Sequence, residues 1–134
     1  MVTFQRRGLF ALLLIAGLVV SAGLVQAQSM HTSKRFSGSK VNDGTVTHVK
    51  QNGTNILTLS ADFRVPDTPD PHWQIVDSRG TVYLLHRLGI KDNKVNTQIT
   101  LPGYIKDIAK VQIYCAWAEA ILGETTFDNT LTIN

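Results

Sequence analysis

The chain of 134 residues has a single cysteine, Cys115, and lacks the short motifs that mark common enzyme classes. One cysteine excludes an intramolecular disulfide, a cysteine-rich zinc site and an iron–sulfur cluster held by one chain. Gly-rich phosphate loops and HExxH, CxxC and GxSxG sequences are absent. The four histidines show no local metal-ligand spacing. One alternative stays open: the fold could bring two carboxylates together into a hydrolytic site. No feature of the sequence favours this alternative.

An excess of basic charge is also lacking once the N-terminus is set aside. The formal net charge is +3, and two of the 13 basic residues are Arg6 and Arg7. Without them, 11 basic residues face 10 acidic ones, a net charge of +1, and they are scattered along the chain. A nucleic-acid binder needs clustered basic side chains to contact phosphates. The sequence therefore predicts a mixed, solvated surface and no nucleic-acid partner.

The N-terminus has the order of a secretory signal peptide, which we predict over residues 1–27. Arg6 and Arg7 precede an apolar run over 8–20, and Ala27 ends a small-residue cleavage site. The alternative is an uncleaved membrane anchor, because the apolar run approaches spanning length. The segment around Arg6 and Arg7 partly matches a twin-arginine signal, but an ordinary signal fits better. The mature protein is therefore expected to be periplasmic or secreted.

The remaining chain reads as short strands separated by turn signals. We predict a flexible lead-in over 28–35 and one domain over 36–134. Its fold class is all-β, an antiparallel β-sandwich of short strands, because turn signals recur about every 8–12 residues. The predicted strands are 45–50, 55–59, 72–77, 81–86, 96–101 and 110–117, followed by a last strand or pair of strands over 125–133. We also predict an irregular Pro-rich loop over 65–71 and one helical turn over 104–109.

Cys115 carries the only soft, redox-capable side chain. Strand alternation places it on one face with Val111, Ile113 and Trp117, in the core or lining a pocket. A lone thiol is unusual in an exported protein, since oxidising compartments pair or modify thiols. One interpretation is a redox-active thiol or a metal or haem ligand. The other is a buried, inert cysteine that packs as a small apolar residue.

A second cluster lies around residues 62–73. In the structural interpretation it is a Pro-rich turn that leads into a strand, with Phe63 and Trp73 as core anchors. In the functional interpretation it is a pocket wall that places Asp70 and His72 near Cys115.

An ordered set of residues over about 36–127 resembles the DM-thirteen domain, an extracellular or periplasmic module sometimes found beside DOMON domains. Near its end the set includes an apolar strand whose last residue is the single cysteine. Its members are Phe36, Gly38, Gly44-Thr45-Val46, Leu57-Thr58-Leu59, Asp62-Phe63, Pro69-Asp70, His72, Tyr83-Leu84, Gln98, Leu101-Pro102, the Val111–Cys115 strand and Gly123. Pro71 departs from the family, which more often has an apolar residue such as Leu there.

The resemblance implies a β-sandwich with a role in electron transfer. Cys115 would act as a bare thiol or as a ligand to a prosthetic group, of which haem is one. Asp70 and His72 belong to the same expected redox or cofactor-binding site, and His72 or His48 would be a second haem ligand. The partner would be a redox or envelope protein, and the domain is not expected to be a stand-alone enzyme. The alternative is a non-enzymatic binding module in which Cys115 is only a core residue.

Overall fold

Short strands joined by turns make up the described part of the chain. The structure, a computed structural model, describes residues 16–23, 28–91, 94–95 and 97–133. The predicted signal peptide therefore lies mostly outside the described residues. Within these ranges there is no helix, and hence none that could cross a membrane. The strands are β1 (Met30–Thr32), β2 (Val46–Gln51), β3 (Thr54–Leu59), β4 (Pro71–Val76), β5 (Val82–Arg87), β6 (Ile90–Lys91), β7 (Lys94–Val95), β8 (Gln98–Thr100), β9 (Asp107–Ile108), β10 (Lys110–Cys115), β11 (Ala120–Thr125) and β12 (Leu131–Thr132).

Two four-stranded sheets form the framework, and every strand pairing in them is antiparallel. The first sheet has the order β1-β2-β3-β8 and the second has the order β11-β10-β4-β5. Two small ribbons, β12-β9 and β6-β7, complete the described strands. The prediction of an all-β, antiparallel domain is therefore confirmed.

The hairpin between β2 and β3 shows why local sequence specifies this architecture. Its turn residues, Asn52 and Gly53, have φ values of 49° and 75°. Asparagine and glycine tolerate this left-handed backbone, which matches the twist of the two flanking strands. The predicted turn is confirmed, and it fixes a continuous register from Val46↔Leu59 to Gln51↔Thr54.

One hydrophobic core receives side chains from both sheets. In β10, Val111, Ile113 and Cys115 alternate toward it, as the sequence predicts. Trp73 of β4 is fully buried and Phe63 packs against the core, so both predicted anchors are confirmed. The buried apolar residues of the two sheets are Val46, Leu57, Leu59 and Ile99 from the first, and Trp73, Ile75, Val111, Ile113, Cys115 and Leu122 from the second.

Several local predictions are wrong. Residues 30–32, expected in a flexible lead-in, form a strand because β2 pairs with them at every position. Residues 104–109 contain no helical turn, since 107–108 pair instead with β12. Trp117 does not continue the core face, because the chain turns after Cys115 and leaves its side chain 75% exposed.

The last strand or pair predicted over 125–133 is confirmed only in part: β12 lies within this range, whereas Thr125 ends β11, which begins at Ala120. Gly123 lies inside β11 rather than before a strand. A Cβ on it would lie 2.5 Å from the Val41 carbonyl oxygen and 2.7 Å from the Val41 Cβ. A Cβ on Gly38 would likewise clash with the Gly123 Cα. Residues 37–41 therefore pass close against β11, to which Ser37 and Val41 are hydrogen-bonded, and this approach requires glycine in the strand.

Candidate functional site

Cys115 ends β10 with its side chain in the core. It is 1% exposed, and its cross-strand partners are Pro71 of β4 and Ala120 of β11. Trp73 lies diagonally from it on the same face, and its buried indole N–H has no hydrogen-bond partner among the described residues. Cysteine reactivity requires access and a stabilised thiolate. Because Cys115 is buried, its thiol lacks the access that a reaction requires.

Asp70 and His72 form a hydrogen-bonded cluster with Arg87 at the start of β4. His72 Nε2 lies 3.0 Å from Asp70 Oδ1, and Arg87 Nε lies 3.2 Å from the same oxygen. His72 Nδ1 also lies 2.8 Å from the Leu85 carbonyl oxygen. Arg87 donates a second bond to the Pro69 carbonyl oxygen at 2.7 Å. The cluster therefore fastens the Pro-rich loop to β5.

The structure places Cys115 beside Asp70 and His72 along the backbone but on the opposite face of the sheet. The Ala116 N–H donates to the Asp70 carbonyl oxygen at 3.0 Å, so all three residues share one end of the sheet. His72, however, pairs with Tyr114, and strand alternation directs it away from the core-facing Cys115. The predicted pocket wall that combines these side chains is not formed.

The same geometry tests whether the residues could hold haem. An axial pair must approach one iron from two sides of a shared cavity, whereas Cys115 and His72 lie on opposite faces of a sheet. His48, the other predicted ligand, lies in the first sheet against His31 and Asn55. Neither of the two cavities described below is lined by Cys115. The described residues therefore do not fit a haem held by Cys115 with either histidine.

A polar ladder on the second sheet was missed by sequence reasoning. We call the side of this sheet that points away from the core the outer face. Gln74 Nε2 donates to Gln112 Oε1 at 2.8 Å, and Gln112 Nε2 donates to Glu124 Oε2 at 2.8 Å. Lys110 Nζ lies 3.5 Å from Glu124 Oε1. Both glutamines are at most 6% exposed. The sequence signal that could have indicated this ladder is one glutamine in each of the apolar strands β4 and β10, Gln74 and Gln112.

Half-exposed apolar side chains surround this ladder. Val82 and Leu84 of β5 lie opposite Val76 and Gln74, and Ile121 of β11 lies opposite Tyr114. Large exposed apolar side chains are ordinary when scattered singly. Here three of them share the outer face of one sheet, two on β5 and one on β11 at the opposite edge.

Two cavities lie away from Cys115. The larger, of about 420 Å3, is lined by Met30, His31, Thr32, Phe127, Asp128, Asn129 and Leu131. The second, of about 300 Å3, lies beside β5 and is lined by Leu84, Leu85, His86, Pro102 and Tyr104. The described residues contain no group of three or more His, Cys, Asp or Glu side chains arranged to hold a metal ion.

His31, which lines the larger cavity, is paired with a second histidine. His31 of β1 lies directly opposite His48 of β2, with their Nδ1 atoms 3.3 Å apart. His48 Nε2 lies 2.9 Å from Asn55 Oδ1. Burial lowers the pKa of His48, and the nearby His31 and Lys50 lower it further, against the opposing effect of the Asn55 hydrogen bond. His48 is therefore held as a neutral imidazole.

Asp77 organises the turn between β4 and β5. Its Oδ1 accepts the Arg79 N–H at 2.9 Å and the Thr81 N–H at 2.8 Å, and its Oδ2 accepts the Tyr83 hydroxyl at 3.2 Å. Burial raises the pKa of Asp77, but the two backbone N–H groups and the Tyr83 hydroxyl outweigh it and leave the pKa lowered. Burial and the Asp77 carboxylate raise the pKa of Tyr83. The cluster stabilises the turn.

Together, the fold and these sites define an all-β domain with one core cysteine, a polar cluster at one sheet end and an apolar outer face. No protein-family model, curated protein or solved structure matches the chain.

Proposed function

We propose that the chain is an exported, non-enzymatic interaction module, similar to the DM-thirteen domain and built as an antiparallel β-sandwich. In this proposal the outer face binds a protein partner and Cys115 is a core residue. The observation that carries it is that Val82, Leu84 and Ile121, all on the outer face, leave about half of their surface exposed. Burying such side chains against a partner contributes about 25 cal/mol for each Å2 of apolar area removed from water.

The chemistry of the outer face favours a partner that contacts apolar side chains on both sides of a polar centre. Gln74 and Gln112, on the two central strands, already bond to each other, so this centre offers few unpaired groups to a sugar or another polar ligand. Charged pairs lie nearby, where Lys110 approaches Glu124 and Arg87 approaches Asp70.

Photo-crosslinking in the native cell envelope tests this proposal. A crosslinking residue replaces Leu84 on the outer face or, as a matched control, exposed Thr54 on the first sheet. We expect one discrete adduct from position 84 and none from position 54. Added purified domain should compete for the adduct, whereas a Leu84→Glu domain should not. Equal adduct patterns at both positions, or no adduct at 84, would contradict the proposal.

A second candidate is the electron-transfer role that the resemblance implies. One observation favours it: a turn over 116–119, exposed at 117–119, follows Cys115 directly in the chain. Because the described residues do not fit a haem, this candidate assigns the role to the thiol itself, reached when the exposed 116–119 turn opens.

Spectra and thiol titration separate the two candidates. The protein purified from the envelope is examined by UV–visible spectroscopy and metal analysis beside Cys115→Ser. The redox candidate expects a thiol that oxidises reversibly in the folded protein, with the signal lost in the serine variant. The interaction candidate expects identical spectra and a thiol that reacts only after unfolding. A Soret or charge-transfer band that vanishes in Cys115→Ser would contradict both assignments.

A further inference from the structure

The rings of His31 and His48 lie end to end. Their planes are inclined by only 23° and their centroids are 5.5 Å apart, although the two Nδ1 atoms are 3.3 Å apart. The centroid separation is close to the Nδ1–Nδ1 distance plus the two centroid-to-nitrogen distances. The two nitrogens therefore face each other along the line joining the rings, the geometry of an N–H···N hydrogen bond rather than a face-to-face stack.

The surroundings of His48 fix which ring donates. Asn55 Nδ2 donates to the Ile133 carbonyl oxygen at 2.7 Å, so Asn55 Oδ1 is the atom that faces His48 Nε2. An amide oxygen only accepts, and His48 Nε2 must therefore carry the proton. In neutral His48 the lone pair then lies on Nδ1. His31 Nδ1 must be the donor to it.

This assignment limits how many protons the pair can hold. The bond survives when His31 is neutral with its proton on Nδ1, and also when His31 is a cation. It is lost when His48 is protonated as well, because two N–H groups then face each other at 3.3 Å. Each ring carries at most two N–H groups, so the neutral pair stays bonded with one added proton and becomes repulsive when a second is added.

We propose that the His31–His48 contact is a clasp that holds strand β1 on the first sheet at neutral pH and releases it when both rings are protonated. Strand β1 has only three residues and lies at the sheet edge, paired with β2 alone among the described strands. Besides its backbone pairing with β2, it is fastened at Ser33, whose N–H donates to the Val46 carbonyl oxygen and whose Oγ accepts the Val46 N–H, both at 2.8 Å. Release would expose the edge of β2 and open the larger cavity, which β1 lines.

The groups around the clasp lower the pKa of His48 on balance. Burial, His31 on β1 and Lys50 on β2 lower it, whereas the hydrogen bond to Asn55 on β3 raises it. Asp128, beyond β11, lines the cavity with His31. A histidine whose folded pKa lies below 6.5 binds fewer protons folded than released. The docked state of β1 is therefore favoured above that value and weakens as the pH falls below it.

Amide hydrogen exchange of the full exported protein tests the clasp. Exchange is measured at about pH 7.5 and about pH 5, on either side of the histidine range, and corrected for intrinsic rates. For the wild type we expect protection of residues 30–33 to be lower at the acidic pH, because the folded pKa of His48 is lowered and its protonation opposes docking of β1. Protection in β4 and β10 should stay unchanged.

Two variants make the test specific. His31→Leu removes the donor and should abolish the acid-dependent loss in β1, whereas His86→Leu, on exposed β5, should keep it. Unchanged β1 protection in the wild type at both pH values would overturn the proposal, as would His31→Leu behaving like the wild type. Measurements with EDTA and with added Zn2+ complete the set. Protection of β1 that requires Zn2+ at neutral pH would identify a metal site and would also overturn the clasp.

Discussion

Gln74 and Gln112 lie directly opposite each other on β4 and β10 and share a hydrogen bond of 2.8 Å on the outward side of the second sheet. Their side chains are nevertheless buried, because Val82, Leu84 and Tyr114 stand around them on the same face. Amides this deep within an apolar face must bond to each other. The hydrogen bond between them satisfies the two amides and also favours the observed register of β4 against β10.

Removing one member of this pair should cost more than removing both. Gln112→Leu leaves the Gln74 amide buried without its acceptor, a loss of about 1–3 kcal/mol in the free energy of unfolding. The double variant with Gln74→Leu should recover most of this loss, since two apolar groups replace both partners. Urea unfolding of the four proteins in the cycle measures the coupling. Gln98→Leu, at an exposed position of β8, is the control, and strictly additive losses would contradict the prediction.

Residues 37–41 lie so close to Gly123 that one added methyl group there should strongly destabilise the protein. Gly123→Ala would place Cβ 2.5 Å from the Val41 carbonyl oxygen, a clash with backbone that only movement of residues 37–41 relieves. We expect a loss of about 1–3 kcal/mol, the range typical of overpacked interiors. Gly103→Ala, where the same atom meets open space, should change the thermal midpoint little. Equal midpoints for the two variants would refute the close approach.

Cys115 should tolerate alanine better than serine. The alanine variant loses one sulfur atom's packing, whereas serine buries a hydroxyl on the core face at an added cost of about 1–3 kcal/mol. Chemical denaturation of both variants measures the difference. The wild-type thiol should react with a disulfide reagent slowly when folded and at once in denaturant, which serves as the internal control. A serine variant as stable as the wild type would show that the hydroxyl finds a partner.

Asp77 should make the stability of the domain acid-sensitive. Its pKa is lowered from 3.8, so its contribution is complete above that value and is lost as the pH falls through the folded pKa. Asp77→Asn should be less stable at neutral pH and should show a shallower loss of thermal midpoint between about pH 5 and about pH 2. Asp67→Asn, in the exposed loop, should follow the wild-type curve. A parallel curve for Asp77→Asn would contradict this role.

Local signals in the sequence predict much of this fold. Asn52-Gly53 specifies a hairpin because few other residues adopt two left-handed positions in succession. Alternation in β10 predicts that Val111, Ile113 and Cys115 face the core, since a strand with one buried face repeats every two residues. These features depend on neighbours in sequence, which is why they can be predicted without the structure.

Contacts between distant segments could not be predicted in this way. Residues 30–32 are polar and short, and they become a strand only because β2 offers an unpaired edge. The separation of Cys115 from His72 depends on the register between β10 and β4, where a shift of one residue would have put both side chains on one face. The pairing of His31 with His48 likewise follows from register, and neither histidine has a local sequence signal.

The first and the last of the described strands both lie beside the cavity that His31 lines. Met30 and Leu131 both line it, so the chain enters and leaves the two sheets at one place. A short linker would therefore suffice to join these ends in a circular permutant with new termini at the exposed Asn52–Gly53 turn. For the same reason, any segment attached at either end would lie next to the histidine pair and at a distance from that turn.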